Sequence, residues 1–326
     1  MKGARTPIFL LSPPRSGSTL VQRVLGAHAE IATVSEPWIL LAPLYALREG
    51  SYAEYRHFVS RVALEDFCRE LPGGRDDYLQ AIREMALYLY SRAGGKAEAR
   101  YFLDKTPSYT LVVDDIIRAF PDAKLIFLWR NPLAIIASEV ATFRRNRWRL
   151  HCVRVQLYEG IANLVAAWRQ YADRGCAVQY ERLVTEPARE WSRLFSYLEL
   201  AYDPDVLTRF AAVELRGRVQ DSMGVRRYAT LSREPLEKWK TTLASPIRRT
   251  WCRHYLQWLG AERLAAMGYE LDTLQNQLRA LSPNYACALP DFVDTIVSAG
   301  CELLEPRIYW DKLRAIVAGR RLYEHE

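Results

Sequence analysis

The segment Ser12-Pro13-Pro14-Arg15-Ser16-Gly17-Ser18-Thr19-Leu20 concentrates groups that bind anions. A loop turning from a strand into a helix aims successive N–H groups and the positive end of the helix at one point. Gly17 removes a Cβ where a phosphate would come closest, Ser18 and Thr19 add hydroxyls, and Arg15 adds a charged fork. The same residues could also serve as a plain helix start, since Ser and Thr are common caps. A nucleoside-triphosphate site would read G-x-x-x-x-G-K-[ST], with a Lys for the β- and γ-phosphates. Here Ser18 follows Gly17, and the apolar run 124–129 ends in Trp129-Arg130 rather than in an Asp that could hold magnesium. Arg15, Lys105 and Arg130 would neutralise an anion with side chains alone.

The elements that must carry these residues follow from hydrophobic pattern. Pro7 to Ser12 reads as a short buried strand, and Leu20, Val21, Val24 and Leu25 place a helix over 19–27. Ile31 to Val34 reads as a second short strand, with Glu36 after it. Tyr101 to Leu103 is a strand ending at Asp104-Lys105-Thr106-Pro107, with a helix through Leu111, Val112, Ile116 and Ile117. Lys124 to Trp129 is a continuous apolar strand, and Pro132 occupies the first-turn position of the next helix. Ala177 to Tyr180 is a further strand, before a Pro187-started helix carrying Trp191, Leu194, Phe195 and Leu198. Short apolar strands alternating with helices predict a mostly parallel sheet covered on both faces. A helical insert is expected over about 38–93, broken at Leu71-Pro72-Gly73-Gly74. Residues 216–232 read as a basic loop or lid, 246–259 and 262–267 as helices, and 273–326 as further helices punctuated by Pro283, Pro290 and Pro306.

Two stretches resemble the sulfotransferases that use 3'-phosphoadenylyl sulfate (PAPS), most closely the bacterial and tyrosylprotein-type branch. PPRSGSTLVQRVLGAHAEI is similar to that family's 5'-phosphosulfate loop and its helix, and FLWRNPLAIIAS to its 3'-phosphate motif. The resemblance implies an α/β, P-loop NTPase-like three-layer fold. It assigns Arg15, Ser16, Gly17, Ser18, Thr19 and Leu20 to the 5' side of the cofactor, and Arg130 and Ser138 to its 3'-phosphate. VQYERLVTEP resembles a third family stretch, which places Tyr180 near the adenosine. The basic loop is loosely similar to one that closes over the 3'-phosphate, with Arg226 and Arg227 as its contacts. The family-like region, ending in a tail from Trp239 to Glu270, implies a sulfotransferase domain over 1–272 and a helical extension over 273–326 packed on it.

The same resemblance implies the chemistry. Lys105, in Asp104-Lys105-Thr106-Pro107-Ser108-Tyr109, matches a lysine that contacts the reacting group. Arg15 stands where cytosolic relatives usually have Lys, as in the tyrosylprotein type. Ser35-Glu36-Pro37 matches the position of that branch's glutamate base, so Glu36 would take the acceptor proton as it leaves in the transition state. Glu36 could equally cap a helix begun by Pro37. His28 is the rival base, more ordinarily a structural residue of the first helix. The products would be a sulfated hydroxyl acceptor, a small molecule free or carrier-bound, and adenosine 3',5'-bisphosphate (PAP), with no metal required. A P-loop small-molecule kinase and a non-catalytic nucleotide-binding scaffold stay open as alternatives. Ser18 and the missing magnesium Asp oppose the first. The presence of both Glu36 and Lys105 opposes the second.

Composition bounds the setting. The 326 residues are 50% hydrophobic and 25% charged, an ordinary globular balance. The net charge of +7, from 45 Lys and Arg against 38 Asp and Glu, favours anionic partners. The six cysteines form no C-x-x-C pair, which argues against structural zinc and a disulfide framework. No apolar run is long enough for a transmembrane helix or a secretory signal. A cytoplasmic enzyme with no membrane or nucleic-acid partner is expected, and a homo-oligomer is left open. The run Arg144-Arg145-Asn146-Arg147-Trp148-Arg149 with Arg154 reads either as a solvated helix end or as a surface for an acidic acceptor or carrier.

Overall fold

The computed structural model describes residues 5–47, 57–96, 98–215, 230–304 and 317. Five strands, β1 (Thr6–Leu11), β2 (Ile31–Thr33), β3 (Tyr101–Asp104), β4 (Lys124–Trp129) and β5 (Gly175–Gln179), form one sheet in the order β2-β3-β1-β4-β5. Every pairing is parallel. The expected three-layer α/β arrangement is therefore present, with the sheet wholly parallel among the described residues.

Alternation along each strand shows why both faces are covered. Phe9 and Leu11 of β1 and Leu125, Phe127 and Trp129 of β4 enter one core, while Ile8, Leu10, Ile126 and Leu128 enter the other. Each such side chain contributes about 1.5–3 kcal/mol by leaving water. On the second face lie α1 (Ser18–Gly26) and the later helices Tyr180–Thr185 and Pro187–Tyr197, with Trp191, Leu194 and Phe195 buried. The first face is covered by helices Arg75–Arg92, Val113–Ala119, Pro132–Phe143, Ile161–Tyr171 and Pro246–Ala266.

Several boundaries differ from the sequence pattern. The fifth strand stops at Gln179, and Tyr180 opens a helix instead of ending the strand. Pro37 starts no helix: residues 36–38 are irregular and the next helix is Leu41–Tyr45, so Glu36 is not its cap. The insert supplies helices Leu41–Tyr45, His57–Glu70 and Arg75–Arg92, with the break at 71–74 as expected. The two helices read at 246–259 and 262–267 are one run bent at Gly260, whose φ of 66° breaks helical geometry. The tail contributes Leu271–Arg279 and Ala288–Leu304. No helix among the described residues is long and apolar enough to cross a membrane.

Candidate active site

In a parallel sheet all carboxyl ends lie along one edge, where open α/β folds bind ligands. After β1 the chain turns through Arg15 and Gly17, both left-handed at φ 65° and 86°. Gly17 caps α1, and its carbonyl accepts from Leu20 N and Val21 N at 3.0 and 3.3 Å. A Cβ on Gly17 would stand 2.3 Å from Cδ2 of Tyr180, so only glycine lets that ring lie against the loop. Ser12 Oγ and Ser16 Oγ are buried with no hydrogen-bond partner among the described residues. Together with the open N–H end of the nine-residue α1, orphaned hydroxyls fit an anionic group. Ser18 and Thr19 are buried in the first turn, and Leu20 packs beside the second core.

Arg15 reaches across to the Pro132–Phe143 helix. Its Nε donates to Ser138 Oγ and its Nη2 to Thr142 Oγ1, both at 3.2 Å. Ser138 and Thr142 are four residues apart, hence on one helix face. The residues assigned to the two ends of the cofactor thus meet directly.

Arg130 follows β4 and is only 6% exposed. Its Nη1 donates to Arg15 O at 2.8 Å and its Nη2 to Pro235 O at 3.0 Å. The guanidinium lies 4.5 Å from the ring centre of Tyr180. The register Trp129↔Gln179 explains this, because the next residue on each strand is then a neighbour. Arg130 is therefore the top of a stack on Tyr180 and Gly17, with Nε buried and unpartnered among the described residues. Burial lowers its pKa from the ordinary arginine value. Glu181 locks the neighbouring turn, accepting from Asn131 N at 2.9 Å and Tyr269 Oη at 2.7 Å.

Beyond β2 and β3 stand Glu36 and Lys105, with Nζ to Oε1 at 2.6 Å. The lysine side chain is 2% exposed and the glutamate 13%. Gln22 of α1 donates to Thr33 Oγ1 at 2.9 Å and Val34 O at 2.6 Å, which holds the end of β2 in place. Under Lys105 lies Asp104, which accepts from Tyr90 Oη at 2.6 Å, Tyr109 Oη at 3.1 Å and Thr106 Oγ1 at 3.3 Å. Burial pushes its carboxyl up to about 6, against the pull of those hydroxyls and of Lys105. Trp38 closes the other side of Glu36, its Nε1 donating to Oε2 at 3.3 Å. Sequence pattern alone missed Trp38, Thr142, Glu181 and Asp104 as parts of this site. Only Asp104 carried a signal, a carboxylate closing an apolar strand.

Other candidates lie elsewhere. His28 sits past the far end of α1, where its Nδ1 accepts from Glu30 N at 3.2 Å and its ring packs 5.7 Å from Phe195. Burial lowers its pKa there, and the rival base is away from the strand ends. Arg226 and Arg227 lie outside the described residues. Much of the basic run 144–154 faces the chain's own tail: Arg147 and Arg149 pair with Asp294, and Arg154 with Glu302.

Residues 7–204 match the model of the sulfotransferase family. The nodulation protein NoeE of Sinorhizobium fredii (strain NBRC 101917 / NGR234) is 31% identical over 286 residues, covering 80% of this chain and 65% of NoeE. The chain thus spans just under two thirds of that relative. Protein-tyrosine sulfotransferase 1 of Danio rerio is 24% identical over 274 residues, 81% of this chain and 72% of the relative. The solved sulfotransferase domain from the Synechococcus PCC 7002 olefin synthase has the same fold, with a TM-score of 0.50 and 24% identity over 74% of this chain and 90% of that domain. A family match over more than half of the chain, on the sheet that carries the strand-end site, makes this protein a member of the sulfotransferase family.

Proposed function

We propose that this chain transfers a sulfuryl group from PAPS to a hydroxyl acceptor, a small molecule free or carrier-bound, and releases PAP. The observation that carries this reading is the Lys105–Glu36 pair at 2.6 Å on the same sheet edge as the Gly17 loop. PAPS supplies a sulfuryl group activated as a mixed anhydride with phosphate. The N–H groups of residues 16–20 and the fork of Arg15 would hold the 5' side. Arg130 and Ser138 would hold the 3'-phosphate, Arg226 and Arg227 adding charge, with Tyr180 on the adenosine side. Arg130 Nε is a buried donor suited to that task.

Glu36 keeps a lone pair on each carboxylate oxygen beyond those bonded to Lys105 and Trp38. It can therefore accept the hydroxyl proton while the acceptor oxygen forms its bond to sulfur. The bridging S–O bond breaks with its electron pair going to the phosphate oxygen, where Arg15 counters the growing charge. Lys105 would bond an oxygen of the transferring group in exchange for Glu36. Three cationic side chains supply the charge that a divalent ion gives elsewhere, so transfer should proceed in chelator.

Calorimetry without metal tests the first half. PAP should bind in preference to AMP, and Arg130→Ala should erase the preference; equal affinity for the two nucleotides would sink the assignment. Labelled-PAPS transfer across hydroxyl acceptors, read by mass spectrometry, tests the second. Glu36→Gln should retain PAP binding and lose at least about 100-fold in transfer rate. Unchanged transfer would remove Glu36 as the base.

A further inference from the structure

Trp38 is 40% exposed at φ 60°, a left-handed conformation that is rare for a bulky side chain. An idle surface tryptophan would relax. This one is held from the element that carries Lys105: its N–H donates to Thr106 Oγ1 at 3.4 Å, and the N–H of Leu40 donates to Tyr109 Oη at 3.3 Å. Thr106 and Tyr109 in turn donate to the buried Asp104. The backbone turn so fixed delivers the indole N–H to Oε2 of Glu36, opposite the oxygen bonded by Lys105. The carboxylate is thereby held at both oxygens, one by a cation and one by a neutral ring.

The same geometry bears on the acceptor. A hydroxyl within hydrogen-bond reach of Oε2 must approach an oxygen whose neighbour, at 3.3 Å, is the indole nitrogen. The atoms attached to that hydroxyl then lie against a large exposed aromatic surface. Such a surface rewards a flat apolar face, aromatic or the C–H face of a saturated ring, more than a flexible chain that must be ordered first.

We propose that Trp38 is a positioning residue for Glu36 and a wall of the acceptor subsite, which makes the enzyme selective for hydroxyls borne on a flat-faced ring. This rests on Glu36 being the base. The two ring chemistries are separated by the probes: 4-nitrophenol for an aromatic face and a methyl glucopyranoside for a saturated one, with 1-hexanol as the open-chain comparison.

With labelled PAPS, wild-type enzyme should sulfate at least one ring probe and favour it over 1-hexanol by about tenfold or more in kcat/KM. Equal use of 1-hexanol, or no transfer to either ring, overturns the selectivity. Trp38→Phe keeps a ring and removes the donor. It should lower kcat by about tenfold or more with KM nearly unchanged, the size expected for losing a hydrogen bond to a charged group. A wild-type kcat overturns the positioning role. Trp38→Gly adopts positive φ freely, so its Tm should not fall below that of the parent by more than the loss of a half-exposed ring allows. Its ring preference should vanish through KM; a retained preference overturns the wall. PAP affinity should be unchanged in both variants, and a loss of it would mark a general disturbance of the site and overturn the proposal. Glu36→Gln distinguishes the two levels. If it turns over normally, the base assignment fails. If it is inactive while both Trp38 variants behave as wild type, only the Trp38 proposal fails.

Discussion

Asp104 precedes the site lysine by one residue, so the two side chains leave the strand end in different directions. Lys105 meets Glu36, whereas Asp104 is buried among Tyr90, Tyr109 and Thr106. With its carboxyl raised to about 6, the folded protein keeps a proton that the unfolded chain releases near pH 4. Stability from this group is therefore fully present below about pH 4 and lost as pH rises through 6. The two-unit difference corresponds to roughly 3 kcal/mol. Asp104→Asn cannot ionise, so its Tm relative to wild type should improve steadily between pH 4 and 7. A Tm difference independent of pH over that range would contradict the buried, proton-retaining carboxyl. At the same scale, Lys96 illustrates a cation with a purely structural task. Its Nζ donates to the carbonyls of Gly26, His28 and Ile31 at 2.6, 2.7 and 2.9 Å, tying the end of α1 to β2.

The helix Ala288–Leu304 is docked by acids rather than by its apolar residues. Asp294, fully buried, accepts from Arg147 Nε and Nη2 at 2.6 and 2.7 Å, Trp148 N at 3.0 Å and Arg149 Nε at 3.0 Å. Those donors hold its carboxyl at about 2, below the usual carboxylate range. Asp291 pairs with the buried Arg248, which also donates to Asn146 and to Thr242 O. The basic run, which from sequence reads either as a solvated helix end or as a surface for an outside acid, is thus largely occupied by the chain itself. Asp294→Asn leaves arginine donors facing a neutral amide and should cost about 2 kcal/mol. Urea unfolding checks this, and protease access to residues 288–304 should rise in parallel. The sign with pH is opposite to that of Asp104. Stability from Asp294 is present above about pH 4 and lost as pH falls towards 2. A variant as stable as wild type at pH 7 would show that the helix is held by other contacts.

At the scale of the molecule, the parallel sheet brings the ends of all five strands to one edge. Part of the +7 balance is spent there, on Arg15, Lys105 and Arg130. A ligand that binds only this folded edge stabilises the whole chain. PAP at 100 times its Kd should add about 2.7 kcal/mol, seen as a Tm rise of roughly 4 °C. Gly17→Ala should abolish the rise, because the new methyl displaces Tyr180 from beneath Arg130. A full rise in that variant would place the nucleotide elsewhere. The sequence by itself determined the parallel sheet, the Gly17 loop and Arg130 at the end of its strand. Buried strands are written as local apolar runs, and a glycine turn or a strand-ending arginine needs no distant partner to be recognised. Only the tertiary structure decided that Glu36 meets Lys105 across 69 residues, that Trp38 is held in a left-handed turn beside them, and that Asp294 covers the basic run. Those contacts depend on the strand order β2-β3-β1-β4-β5 and on helices packed from the far end of the chain, which no local pattern encodes.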